Sequence, residues 1–286
     1  MSLERPEAAA AASTRTLRIA YTPDSDDAFN FYAWQHGRVE LPGWSAAFHH
    51  GHIIALNRAA ARGEYDVVAI SSVVYPSLAD RYWILSVGNS VGRGYGPVLV
   101  SEKYRRIEEL AGKRVAVAGL PTTGGVLALM FCPGAEFVEM PYDQIADAVK
   151  AGQCDAGVMI HEELLFFPQK GLHQVADLGA EWTRSTGLPL PVGLNVCARS
   201  LGRDLARRIV HTCRASLQWG LEHREEAMSF AGRFGRGCCQ RHVDLFCNAD
   251  TVRLQPDVIE ALKVMFARVA DLNLGPRLET FEVLDE

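Results

Sequence analysis

The stretch Asp155–Glu163 constrains this chain more than any other: an apolar run from Ala156 to Ile160 stops abruptly at His161, Glu162 and Glu163. Four to six apolar residues closed by a polar cluster describe a strand buried on both faces, as in a parallel sheet, with a histidine at its carboxyl end. Open α/β sheets place their ligands at that edge. A histidine there also serves as a helix cap or a hydrogen-bonded core residue, and the run alone leaves the two roles balanced.

A chain of 286 residues is long enough for two modest cores. With 48% hydrophobic and 22% charged residues it reads as a globular protein. A net charge of −5 without long Lys/Arg runs argues against a nucleic-acid groove or an anionic membrane surface, so the expected partner is a small molecule. Residues 1–15 are Ala-rich, lack a basic segment followed by an apolar one, and read as a disordered leader on a cytoplasmic protein. No stretch approaches the ~18 continuous apolar residues of a membrane helix.

Seven scattered cysteines do not form a disulfide framework and are expected to be reduced. Cys238, Cys239, His242 and Cys247 lie within ten residues but lack a C-x-x-C knuckle, and His49, His50 and His52 lack a completing ligand. No metal is expected at either cluster.

Along the chain, Leu17–Tyr21 reads as a strand, followed by Thr22-Pro23-Asp24-Ser25-Asp26-Asp27 with turn and cap chemistry before an apolar helix. The aspartates fit capping of that helix better than a cation site, because acidic groups are stabilised at a helix N-terminus. The strand Asp66–Ile70 ends at Ser71 and Ser72. Gly92-Arg93-Gly94-Tyr95-Gly96-Pro97 is not a dinucleotide fingerprint, because proline and a strand follow where a helix is required. It reads instead as a crossing between two lobes.

Regular β/α units follow, and Thr122-Thr123-Gly124-Gly125 opens a helix whose first N–H groups are suited to an anion such as a carboxylate. Plain capping by Thr122 is the alternative. Residues 16–92 and 198–286 are expected to form one discontinuous lobe and 98–190 the other, with 93–97 and 191–197 as crossings.

This layout, α/β and two-lobed with a ligand cleft between the lobes, is similar to the type II periplasmic-binding-protein fold. The motifs resemble one enzyme family in particular, the 1,4-dihydroxy-6-naphthoate synthases of the futalosine route to menaquinone. The matching pieces are Pro23 with Asp27, Phe29-Asn30-Phe31-Tyr32-Ala33, His36-Gly37-Arg38-Val39, Leu56-Asn57, Ser71 with Tyr75, residues 92–97, Thr122-Thr123, Ile160-His161-Glu162, Asp177-Leu178-Gly179 and residues 186–191.

The resemblance implies a carbon–carbon lyase that opens cyclic dehypoxanthinylfutalosine and needs no cofactor. It further implies His161 as proton acceptor and Ala69, Ile70, Ser71, Thr122 and Thr123 as contacts to a substrate carrying a carboxylate. Asp27, Ser72, Arg93 and Glu162 are further cleft candidates, and a homodimer is expected from the resemblance alone. The chain departs from the family pattern at Asp24-Ser25-Asp26, Ala28, His52, Gly124 and Gly125.

Two other functions fit parts of the pattern. Chorismate dehydratase, a sister enzyme, shares an Ile-Ser-Ser segment like Ile70-Ser71-Ser72, but typically has a small residue and an aspartate at the place of His161-Glu162. A solute-binding protein for a small organic anion shares the fold and does no chemistry.

Overall fold

The computed structural model describes residues 15–286, so the expected leader lies outside the described residues except for Arg15. The chain builds two separate hydrogen-bonded sheets. Strands β1 (Arg15–Tyr21), β2 (Trp44–His50), β3 (Val67–Ser71), β4 (Tyr82–Leu85) and β5 (Ser90–Gly92) belong to the first. Strands β6 (Val98–Ser101), β7 (Arg114–Val117), β8 (Glu136–Glu139), β9 (Ala156–Met159) and β10 (His173–Asp177) make the second, and β11 (Leu190–Ala198) and β12 (Val283–Leu284) return to the first.

The strand order is β12-β4-β11-β3-β1-β2 in the first sheet, with β5 also on β11, and β10-β6-β9-β7-β8 in the second. Strand β1 runs parallel to β2 and β3, and β7 runs parallel to β8 and β9. In such β/α units the carboxyl ends of neighbouring strands open onto one edge.

Helices α1 (Ser25–Gln35) and α2 (Ile53–Arg62) belong to the first half of the chain. Helices α3 (Thr123–Phe131), α4 (Ile145–Lys150), α5 (Glu163–Phe166) and α6 (Leu178–Thr186) are interleaved with the second sheet. The C-terminal part holds α7 (Arg203–Glu222), α8 (Arg224–Ala231), α9 (Cys239–Phe246), α10 (Ala249–Val252) and α11 (Pro256–Asp271). Its long helices carry apolar residues at helical spacing: Ile209, Cys213 and Leu217 are buried on α7, as are Val258, Leu262, Met265 and Val269 on α11. Helix α7 packs on α1, so the end of the chain closes over its beginning.

The segment 191–197, expected as a crossing, lies within β11, paired with β3 on one side and with β4 and β5 on the other. Pro191 cannot donate to a ladder and is accommodated by a register shift between Pro191 and Gly193. Among the described residues no helix is long and apolar enough to cross a membrane.

Candidate active site

The carboxyl ends of β1, β3, β7 and β9 converge on one cleft, with β11 along its floor. It encloses about 710 Å³ of space, its open mouth included. The first-sheet side supplies Asp24, Asp26, Asp27, Ala69, Ile70, Ser71, Ser90 and Asn195, and the second-sheet side supplies Thr122, Thr123, Gly124, Ile160, His161 and Leu164. His242 and Phe246 enter from α9. Among the described residues no lysine or arginine lines the cleft, which has two polar ends of different character: carboxylates with imidazoles at one, hydroxyls with backbone N–H groups at the other.

His161 follows β9 with φ 54°, a left-handed conformation unusual for a residue with a side chain. That turn carries the ring off the strand axis and into the cleft, at a cost of about 1 to 3 kcal/mol supplied by the surrounding structure. Its Nδ1 lies 2.8 Å from Asp24 Oδ2, close but short of hydrogen-bond alignment, while its Nε2 is buried and without a partner. The Tyr142 ring meets the imidazole edge-on at 4.8 Å between centroids.

Burial alone opposes charge on the His161 ring, yet the carboxylates of Asp24, Asp26 and Glu163 outweigh it and raise its pKa above the ordinary histidine value. Burial would likewise push Asp24 up, but His242 and His161 hold its carboxyl well below the usual range. Asp26 and Asp27 behave in the opposite way. Burial pushes both up, and with Asp26 beside it Asp27 reaches about 8, which keeps it protonated at neutral pH. Asp27 accepts hydrogen bonds from the Thr22 backbone N–H (3.1 Å) and hydroxyl.

The aspartate run therefore does more than cap. Asp24 is the N-cap of α1, its Oδ1 accepting from Ser25 N at 3.0 Å, while all three side chains are buried. His242, expected in a cysteine cluster, instead sits between two of them, with Nε2 3.8 Å from Asp24 and Nδ1 3.8 Å from Asp26. Asp24, Asp26 and His242 each offer an atom within 4.8 Å of the others. The ring approaches the two carboxylates with different nitrogens, beyond hydrogen-bond distance of either, and its Nδ1 pairs with Ser25 Oγ at 3.1 Å. The cysteines at 238, 239 and 247 are free thiols.

At the opposite end, Thr122 caps α3: its hydroxyl accepts from Gly125 N (3.1 Å) and donates to Gly119 O (2.6 Å). The Thr123 hydroxyl donates to Val192 O on β11 at 2.6 Å. Both hydroxyl protons are thus engaged, so this end offers an anion the leading N–H groups of the helix, which have no carbonyl one turn earlier to bond. Asn57 ties the two sides together: its side chain bonds Ser71 Oγ (3.1 Å), Ser71 N (2.9 Å) and Pro121 O (2.9 Å). Ala69, Ile70 and Ser71 lie in register with Asn195, Leu194 and Gly193.

Three expected cleft residues are elsewhere. Ser72 is fully buried where it starts the turn after β3, it does not line the cleft, and its hydroxyl has no partner among the described residues. Glu162 also turns away from the cleft, accepting from the backbone N–H of Cys238 (2.7 Å) and of Arg236. Arg93 is held outside by two carboxylates, Asp250 at 2.7 Å and Asp257 at 2.8 Å.

Because the Asp250 side chain is nearly wholly buried, Arg93→Gln is expected to cost about 1 to 3 kcal/mol by leaving that carboxylate without its donor. A lower melting temperature with an unchanged KM is the expected result. A raised KM would return Arg93 to the binding site.

Sequence reasoning missed Ser90, Asn195, His242 and Phe246 as wall residues. Nothing local marks them.

Two sheets with α/β units, and a cleft at their strand ends, define a periplasmic-binding-protein-like chain. An alkanesulfonate-binding protein from Xanthomonas axonopodis shares this fold, with a TM-score of 0.73 over 93% of this chain and 96% of that one at 16% identity. Within that class the chain belongs to the menaquinone biosynthesis family, whose model matches residues 17–271. It is 36% identical to the enzyme 1,4-dihydroxy-6-naphthoate synthase of Thermus thermophilus, over 91% of this chain and 96% of that protein. A solved structure from Archaeoglobus fulgidus is similar with 37% identity and a TM-score of 0.87, covering 92% of this chain and all of that one.

Proposed function

We propose that this chain is a lyase converting cyclic dehypoxanthinylfutalosine to 1,4-dihydroxy-6-naphthoate, with His161 as the general base. The observation that carries the reading is the His161 ring, set at a strand's carboxyl end in the cleft with Nε2 buried and unpartnered. A base must be within hydrogen-bond reach of the proton it takes, and Nε2 is the atom available.

The substrate carboxylate fits the N-terminus of α3, where Thr123 and Gly124 line the cleft. Ile70, Leu164, Leu194 and Phe246 provide apolar walls for the fused ring. Hydroxyls of the sugar-derived part then face Asp26, Asp27 and Ser90, groups that accept and donate hydrogen bonds without attracting a second anion. Proton removal lets the sugar-derived part leave while the fused ring becomes aromatic. The two sheet units serve as lobes: 15–92 with the C-terminal helices on one side, and 98–189 on the other.

Purified protein incubated with cyclic dehypoxanthinylfutalosine should release naphthoate and leave chorismate unchanged. Water loss from chorismate would identify the sister activity. Tight binding of the cyclic compound without turnover would identify a binding protein.

A further inference from the structure

We infer that Asp24 is a positioning residue for this reaction: its carboxylate holds the His161 ring with Nδ1 turned inward and Nε2 presented to the cleft. The inference rests on the reading of His161 as the base.

The two carboxylate oxygens have different surroundings. Oδ1 is committed to the Ser25 backbone N–H at 3.0 Å, which fixes the side chain against the start of α1. Oδ2 is buried, makes no aligned hydrogen bond, and faces two imidazoles, His161 Nδ1 at 2.8 Å and His242 Nε2 at 3.8 Å. A carboxylate with one oxygen anchored and the other directed at a ring nitrogen selects the tautomer that keeps the proton on that nitrogen.

The contact lacks only angular alignment, and such bonds commonly tighten when substrate binds. His161 Nε2 then takes the substrate proton with its lone pair, and the ring's positive charge is offset by Asp24, which stays ionised. No proton passes to the carboxylate.

Other charged and titratable groups surround the ring. Asp26 comes from α1 and His242 from α9, while Glu163 lies in α5. Tyr142 stacks edge-on against the ring, and Arg236 bonds both Glu163 (2.9 Å) and the Tyr142 hydroxyl (2.6 Å). Among them Asp24 alone touches a ring nitrogen of His161. Because Asp24 follows β1 and His161 follows β9, the pair is assembled across the cleft from both sheet units.

The test is Asp24→Asn, since asparagine caps a helix as well as aspartate does and removes only the charge. Activity that depends on a neutral His161 rises with pH through the ring's pKa. The carboxylate raises that pKa, so its loss should shift the acid limb of kcat/KM to lower pH. The plateau should fall on the order of 10²-fold, with KM nearly unchanged.

An acid limb and plateau that match the wild type would overturn the inference, and if His161→Asn is inactive under the same conditions the base reading survives that failure. If Asp24→Asn does not fold, the ring ¹⁵N spectrum of the wild type above its acid limb decides. A proton on Nδ1 supports the assignment, and a proton on Nε2 refutes it.

Discussion

His161→Asn should lower turnover by about 10² to 10⁴-fold while leaving substrate affinity within a few-fold of the wild type. Asparagine suits this position for two physical reasons. It tolerates the left-handed backbone found at residue 161, φ 54°, better than most other residues, so the turn after β9 should survive. It also keeps a polar group beside Asp24 while offering no nitrogen basic enough to take a proton at neutral pH. The loss should appear in kcat and kcat/KM together, because a base acts in the transition state rather than in ground-state binding. A folded variant with near-wild-type turnover would make His161 a structural residue.

Gly125→Ala should both destabilise the protein and weaken substrate binding. A Cβ at Gly125 would stand 2.3 Å from Gly119 O and 3.2 Å from Leu120 Cα, backbone atoms that cannot swing aside as a side chain would. Gly119 O also accepts the Thr122 hydroxyl proton, so moving it disturbs the cap of α3 and the N–H groups offered to the carboxylate. Overpacking of this kind costs about 1 to 3 kcal/mol. A drop in melting temperature together with a raised Kd is the expected pair of results. An unchanged Kd would show that the start of α3 does not touch the substrate.

Gly124 is close-packed in a different way: a Cβ there would meet Ile160 Cγ2 at 2.9 Å and Val158 Cγ1 at 3.2 Å. These are side-chain atoms of the strand that leads to His161. Gly124 therefore lets α3 lie closely against β9.

Much of the scaffold was legible because local rules and tertiary context agree. The apolar run before His161 is β9, the expected strand Leu17–Tyr21 falls within β1, and Thr122 opens a helix. Helix α6 was missed, although Asp177 caps it and Gly187 ends it in the left-handed conformation. Its short length between two strands hid the pattern. Pro191 lies inside β11, where a register shift accommodates it and hides the strand pattern.

The site was legible only where one residue type carries the signal. His161 and the threonine pair stand out locally, whereas Asp24 acquires its meaning from a ring 137 positions later, and His242 from carboxylates more than 200 positions earlier. Arg93 misleads for the same reason. A charged residue in a glycine-rich loop invites a cleft role until Asp250 and Asp257 arrive from the far end of the chain. Glu162 stands next to the base in sequence, but the left-handed turn at His161 sends the two side chains in different directions, and Glu162 is taken up by the loop at Arg236–Cys238.

The most direct measurement is a crystal structure of His161→Asn with cyclic dehypoxanthinylfutalosine trapped in the cleft. With the wild-type ring superposed on residue 161, the carbon that loses its proton should lie about 3 to 3.5 Å from the position of Nε2, the distance of a reactive contact. The substrate carboxylate should rest on the N–H groups at Thr123 and Gly124, and its sugar-derived part should face Asp26 and Asp27. A substrate bound with that carbon away from residue 161, or with the carboxylate against the aspartates, would contradict the account.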